Sequence, residues 1–412
     1  MTDGNLQGLR VLDLADEPGF LTGRLLGDLG ADVIKVEPPG GHLLRRRPPF
    51  WDGKEDPERG IAWLAQNTSK RGITLNLTRP RGRDLLLLLC EKTDAVIETG
   101  RPGELDSLGL GYAALAARNP LLVLCSITPF GQSGPYRNFR ASDLTTLAMG
   151  GNLFPTGDPD RAPVRCSLPT SYFHAGIEAA LGVMFAILGR EITGRGQHLD
   201  VSLQEAMLMP NMSNPAQYAV TGLKGSRVGP GYRVGNVFQP EIWRCQDGFV
   251  SFALRGGPAR IPGLIAMVEH MDEHGMAPPC LKERDWTKYN HNLLAQEEVD
   301  EMAAAFAAFF ATKTKSELYR AAIERKLMLA PINDAPAILA SEQLAFREFF
   351  ADVEYPHLDG VLRHPGALAK LRPPGLRAPF RAPRIGEHNA AIYAEVGIGA
   401  RQLTELRDAG VV

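Results

Sequence analysis

The chain has 412 residues, 44% of them hydrophobic and 22% charged, the balance of an ordinary globular protein, with length for two or three domains of about 150 residues. Forty-five Lys plus Arg against 47 Asp plus Glu leave a formal net charge of -2. That excludes the broad positive field of a nucleic-acid or anionic-membrane binder, so any phosphate must be gripped by a local pocket. Cys90, Cys125, Cys166, Cys245 and Cys280 are far apart, with no CxxC or ligand spacing. They read as reduced thiols of a cytoplasmic protein rather than a disulfide frame or a metal site. The opening MTDGNLQGLRVL lacks a basic-then-apolar leader pattern, and the longest apolar run, Ala179 to Leu188, is interrupted by Gly182. The expectation is a soluble chain with no membrane or nucleic-acid partner.

In chain order, Arg10 to Leu14 predicts a strand, Phe20 to Leu29 a helix with four leucines on one face, and Asp32 to Val36 a second strand closed by Pro38 and Pro39. The first turn reads ADEPGFLTG, so the GxGxxG fingerprint of a dinucleotide site is absent, although Glu37 has the place of its ribose-binding acid. Arg81 to Cys90 predicts a helix, Ala95 to Glu98 and Leu121 to Ile127 buried strands, and Ala141 to Gly150 a further helical stretch. A long apolar helix runs from about Ser171 to Glu191 and is stopped by TGRGQ before the strand HLDVSL. This alternation points to one α/β domain with a parallel sheet over residues 1–220.

Five glycines and Pro230 between Thr221 and Gly235 read as a linker or lid. Two short strands around the turn CQDG and helices over Glu297 to Glu324 then make a smaller α+β domain, residues 221–330. From 331 to 412 the chain is Pro-rich and irregular before two short terminal helices.

Seven strings, GLRVLDL, GDLGADVIKVEPPGG, NTSKRGITLNL, ETGRPGELDSLGLGY, NPLLVLCSITPFGQSGPY, TGRGQHLDVSL and GEHNAAIYAEVGI, together resemble the class III CoA-transferase (CaiB/BaiF) family, in order and over almost the whole chain. The resemblance implies a large doubly wound parallel-sheet α/β domain, a small domain from the middle of the chain, a C-terminal segment that returns to the large domain and two chains threaded as interlocked rings. It also implies CoA and acyl-CoA as substrates, with no metal. The polar residues at matching positions are Lys35, Arg45, Arg46, Arg47, Asn67, Lys70, Arg71 and Arg101, suited to CoA's phosphates. A solvated loop is the other reading of the three arginines, and a core-supporting turn the other reading of Asn67, Lys70 and Arg71. In ETGRPG, Thr99 and Gly100 replace the amide and aromatic usual in the family.

In the family an aspartate attacks the acyl-CoA thioester, giving a mixed anhydride and then an aspartyl-CoA thioester. It lies four residues before a glycine at the start of the long helix. Counting back from Gly176 places Tyr172 there, and a phenol of ordinary pKa about 10 is a poor substitute. His174 is two residues away, on another helical face. Related racemases pair a histidine with the aspartate; the matching positions here are Ser142 and Tyr172, so both groups are missing. Asp143 is expected to cap the helix it precedes. His270 and His274 have metal-ligand spacing but no third ligand nearby. The resemblance thus implies a transferase subunit lacking its nucleophile, partnered by a homologous subunit that carries it. A self-sufficient homodimeric enzyme of divergent mechanism and a non-catalytic CoA-thioester binder remain open. The acyl-selecting segment is expected at Thr221 to Gly235 together with Arg255-Gly256-Gly257-Pro258, with an ordinary turn the other reading of Gly256 and Gly257.

Overall fold

The computed structural model describes residues 4–366, 369–371 and 375–412, so residues 367–368 and 372–374 of the Pro-rich stretch lie outside it. Two compact units emerge: one comprises Met1–Asn152, Cys166–Ala216 and Glu342–Val412, the other Leu153–Arg165 and Gln217–Ser341.

The first unit is built on six parallel strands: β1 Arg10–Asp13, β2 Asp32–Glu37, β3 Arg71–Thr74, β4 Ala95–Glu98, β5 Val123–Thr128 and β6 His198–Ser202. Their order is β3-β2-β1-β4-β5-β6, the doubly wound arrangement, with its switch point between β1 and β4. Strands such as β4 and β5 are buried throughout because both faces are covered. The pleat sends alternate residues to opposite layers. Leu12, Ile34, Ile73, Val96 and Leu124 join one core; Val11, Val33, Ala95, Ile97 and Val123 join the other.

Seven helices follow these strands before β6: α1 Phe20–Asp28, α2 Ile61–Gln66, α3 Pro80–Cys90, α4 Glu104–Ser107, α5 Tyr112–Arg118, α6 Asp143–Met149 and α7 Thr170–Thr193. The leucines of α3 fill the first core. There they meet Ile392, Tyr393, Leu403 and Leu406 of the terminal helices Asn389–Ala394 and Ala400–Asp408. The C-terminal residues also bind the β3 edge: Asn389 Oδ1 accepts Thr74 N–H at 2.9 Å, and the Tyr393 hydroxyl donates to Thr74 O at 2.7 Å.

Helix α7 buries Ala175, Gly176, Ala179, Ala180, Val183 and Ala186. Small residues on that face let the helix lie close to the sheet. Gly194 ends it in the left-handed conformation at φ 65°, as its place after the apolar run predicts. The other face carries Phe173, Ile177, Leu181, Phe185, Leu188 and Ile192, all exposed. By length and composition α7 passes for a membrane-crossing helix, with mean hydropathy 1.5. The count of uninterrupted apolar residues misses this because Glu178, Gly182 and Gly189 break the run without lowering the average much.

In the second unit, strands β9 Ile242–Cys245, β10 Gly248–Phe252 and β11 Leu329–Pro331 form an antiparallel sheet, ordered β11-β10-β9. The sheet packs with Phe306 and Phe310 of the helix Gln296–Phe310 around Trp243 and Phe252. Two expectations are corrected. The glycine-rich linker ends in a strand, β7 Gly231–Val234, that pairs with β8 Val237–Pro240. The C-terminal stretch expected to be irregular forms a hairpin in the first unit, from β12 Phe350–Tyr355 and β13 Gly360–Pro365. In both cases cross-strand pairing overrides a weak local propensity. Gly256 sits in a turn anchored by its N–H on His291 Nδ1 at 3.1 Å.

Candidate functional site

Ligands of an open α/β sheet bind beyond the carboxyl ends of the strands at the switch point. Here that is where β1 and β4 diverge, and a cavity of about 630 Å³ lies there, lined by Asp16 after β1 and by Thr99 to Glu104 after β4. Its volume is in the range of small-molecule sites.

The β1 side of this cavity rests on a buried ion cluster. Asp13 is in register with Lys35 on β2, and Asp13, Lys35 and Lys70 are at most 1% exposed. Lys35 Nζ donates to Asp13 Oδ1 at 3.0 Å, to Asp13 O at 3.1 Å and to Ala15 O. Lys70 Nζ donates to Asp13 Oδ2 at 2.8 Å and to Phe20 O and Asn67 Oδ1 at 2.9 Å. All three protons of each ammonium are matched, as burial demands. Burial acts to raise the Asp13 pKa, but the two lysines hold it below the usual carboxylate value, while desolvation brings Lys70 down to about 8. The cluster fixes the turn that carries Asp16 to the cavity. Gly23 allows α1 to pass: a Cβ there would lie 2.5 Å from Asp13 Oδ2.

Arg45 is likewise buried. Its guanidinium binds Glu37 at 2.7 and 2.8 Å and Glu58 at 2.9 Å, and lies 3.9 Å over the Trp63 ring. Glu37 is therefore an arginine partner here, not a ribose acid. Arg71 pairs with Asp32 at 2.6 and 2.8 Å and with Glu395 at 3.3 Å, a network that Arg10 shares. The eight polar residues expected to face a ligand thus divide. Lys35, Arg45, Asn67 and Lys70 have no solvent-facing group, and Arg71 ties the C-terminal segment to the sheet. Arg46, Arg47 and Arg101 reach solvent.

Tyr172 lies in the first turn of α7, half-buried, and burial moves its phenol further up from 10. The Asp143 backbone N–H, Glu17 and Arg47 are its polar surroundings. Asp143 is corrected: it starts α6 but does not cap it. Its Oδ1 accepts Ser171 N–H at 2.9 Å and the Ser171 hydroxyl at 2.8 Å, closing the first turn of α7. His174 points elsewhere on the same helix and feels Glu178 one turn on. His270 and His274 pack edge-to-face with each other and with Phe309. Among the described residues no group of three or more His, Cys, Asp or Glu is placed to hold a metal.

Several polar groups of the site carry no sequence motif. His42 Nδ1 accepts Leu44 N–H at 3.0 Å, so Nε2 carries the proton it gives to Asp16 Oδ1 at 2.8 Å. That hydrogen bond, set against burial, lowers the Asp16 pKa. Glu98, at the end of β4, accepts Gly100 N–H at 2.6 Å and bonds Ser126, whose hydroxyl lies 2.9 Å from His198 Nε2. Burial pushes Glu98 up to about 7. The one signal available beforehand was a charge inside an apolar strand: Asp13 in RVLDL, Lys35 in DVIKV and Glu98 in AVIE.

A model of the family described as CoA-transferase family III matches residues 6–389. Subunit BbsE of succinyl-CoA:(R)-benzylsuccinate CoA-transferase from Thauera aromatica is 32% identical, over 98% of this chain and 97% of its own. The succinate–glutarate CoA-transferase of Agrobacterium fabrum is 29% identical, with 95% of each chain covered. The crystal structure of a CaiB/BaiF family protein from Brucella suis matches with a TM-score of 0.82 at 29% identity, over 96% of this chain and 100% of that one.

Proposed function

This chain belongs to CoA-transferase family III, and from that premise we propose that it is the nucleophile-lacking subunit of a heteromeric enzyme. The assembly would move CoA between an acyl-CoA thioester and a free carboxylic acid. The observation that carries the reading is Tyr172 in the first turn of α7, where the family's pattern has its aspartate. Burial moves the phenol away from ionisation, the opposite of what a nucleophile needs. Glu17, beside it, is held by both oxygens on Arg47, which opposes a nucleophilic role.

Two further features support the reading. The exposed apolar stripe of α7, from Phe173 to Ile192, is the kind of surface that a partner chain covers. The relative from Thauera aromatica is itself one subunit of its transferase. In this chain Arg46 and Arg101 are the solvent-facing cations for CoA's phosphates, and the cavity at the β1–β4 switch point takes part of its length.

The test is CoA exchange between a thioester and a free acid, measured with this chain alone and with a homologous aspartate-bearing subunit. Exchange that appears only in the pair is the expected outcome. Robust exchange by the lone chain, abolished in Tyr172→Phe, would overturn the proposal. CoA binding without turnover in every pairing would leave a binding protein instead.

A further inference from the structure

The three consecutive arginines meet different partners. Arg45 is buried on Glu37 and Glu58, and Arg46 reaches the Gly40 carbonyl at 3.2 Å. Arg47 turns toward Tyr172, where its two terminal nitrogens grip both oxygens of Glu17 at 3.0 and 2.6 Å. Parallel bidentate contact is the geometry in which a guanidinium recognises a planar carboxylate. This pair is not part of the buried frame: the Arg47 side chain is 52% exposed and that of Glu17 21%. An exposed ion pair adds little to stability and opens easily. The sequence groups Arg47 with phosphate ligands, but its neighbours are Glu17 and Tyr172, at the acyl end of a CoA ligand in the reading above.

We infer that Arg47 is a receptor for a second carboxylate on the acyl group, a dicarboxylic monothioester, and that Glu17 is an internal stand-in which the ligand's carboxylate displaces. The inference rests on the proposal that this chain holds a CoA thioester with its acyl end at Tyr172. One carboxylate replaces another, so the guanidinium keeps its charge partner and Glu17 moves into water at small cost. A free dicarboxylate competes poorly, because Glu17 is already tethered beside Arg47. A carboxylate delivered on CoA is tethered too, and its effective concentration overcomes that advantage. An acyl group that ends in a methyl leaves the Arg47–Glu17 pair closed and gains nothing from it.

The experiment is calorimetric titration of the full chain with succinyl-CoA, butyryl-CoA and CoA. The two thioesters have the same acyl carbon count and differ by carboxylate against methyl. A charge-assisted pair predicts succinyl-CoA to bind about tenfold more tightly than butyryl-CoA. Arg47→Gln should erase that preference and leave CoA affinity unchanged, whereas Glu17→Gln should widen it by removing the competitor. These opposite signs separate a specific effect from loss of fold, which would weaken all three ligands in both variants. Equal affinity for the two thioesters, or a uniform loss in Arg47→Gln, overturns the inference while the CoA reading stands. Binding of no CoA species would remove that reading and the inference together.

Discussion

Replacing Glu98 with Gln is expected to stabilise the protein in alkaline solution and to leave it unchanged in acid. Glu98 ends β4 with 6% exposure. Its carboxyl accepts Gly100 N–H at 2.6 Å and bonds Ser126, whose hydroxyl lies 2.9 Å from His198 Nε2, but burial outweighs both contacts and favours the neutral form. Gln reproduces both contacts, with its oxygen on Gly100 and its amide N–H on Ser126. Burial raises the Glu98 pKa from 4.5 to about 7, and at about 1.4 kcal/mol per unit this corresponds to about 3 kcal/mol. For the sign, a native pKa above the unfolded one means that the folded state holds the proton more tightly. The group's contribution is complete below pH 4.5 and is lost as pH rises through about 7. Urea unfolding at a series of pH values should therefore show Glu98→Gln matching the parent at the acid end. It should gain about 3 kcal/mol at the alkaline end. His198, whose pKa burial lowers, adds a slope of opposite sign in both proteins, so the difference between them isolates Glu98. Parallel pH profiles, or a variant weaker than the parent above pH 8, would refute the reasoning.

Asp13→Asn leaves Lys35 and Lys70 buried without their shared counter-charge. A loss of about 3–5 kcal/mol is expected in denaturant melts, and a loss below about 1 kcal/mol would show that the cluster is not the frame described. Gly27→Ala places a Cβ 2.4 Å from the Ser69 carbonyl oxygen, and the backbone shift it forces should cost about 1–3 kcal/mol. Gly189→Ala, inside α7 with its nearest neighbour at 3.6 Å, should instead gain about 0.5–1 kcal/mol from helix propensity; the pair is read in one melting series. Phe185→Arg, at a side chain 62% exposed, should preserve circular dichroism and weaken assembly with the proposed partner subunit in sedimentation. Unchanged assembly would remove α7 from the interface.

The strands and α7 were legible because their signals are local. A parallel strand buried on both faces reads as an apolar run, and a helix that ends on Gly194 is marked by the residue that ends it. The hairpin of β12 and β13 was not legible, since Pro356, Pro365 and the polar residues between them look like a loop until a second strand supplies the hydrogen bonds. The site divides on the same ground. The ETGRPG turn could be placed by its string, so the β4 side of the cavity rim was visible in advance.

The roles of the cations were not. Lys35, Arg45, Lys70 and Arg47 are alike in a sequence, each a basic residue near a glycine turn. The sequence by itself determined the class of fold and the family, both of which depend on patterns within a few dozen residues. Only the tertiary structure decided that Asp13 stands in register with Lys35 and within reach of Lys70, that Glu37 takes Arg45, and that Arg47 is left at the surface on Glu17. A charge's task is set by the opposite charge that the fold brings to it and by how much water the two retain, and neither quantity is written in the local order of the residues.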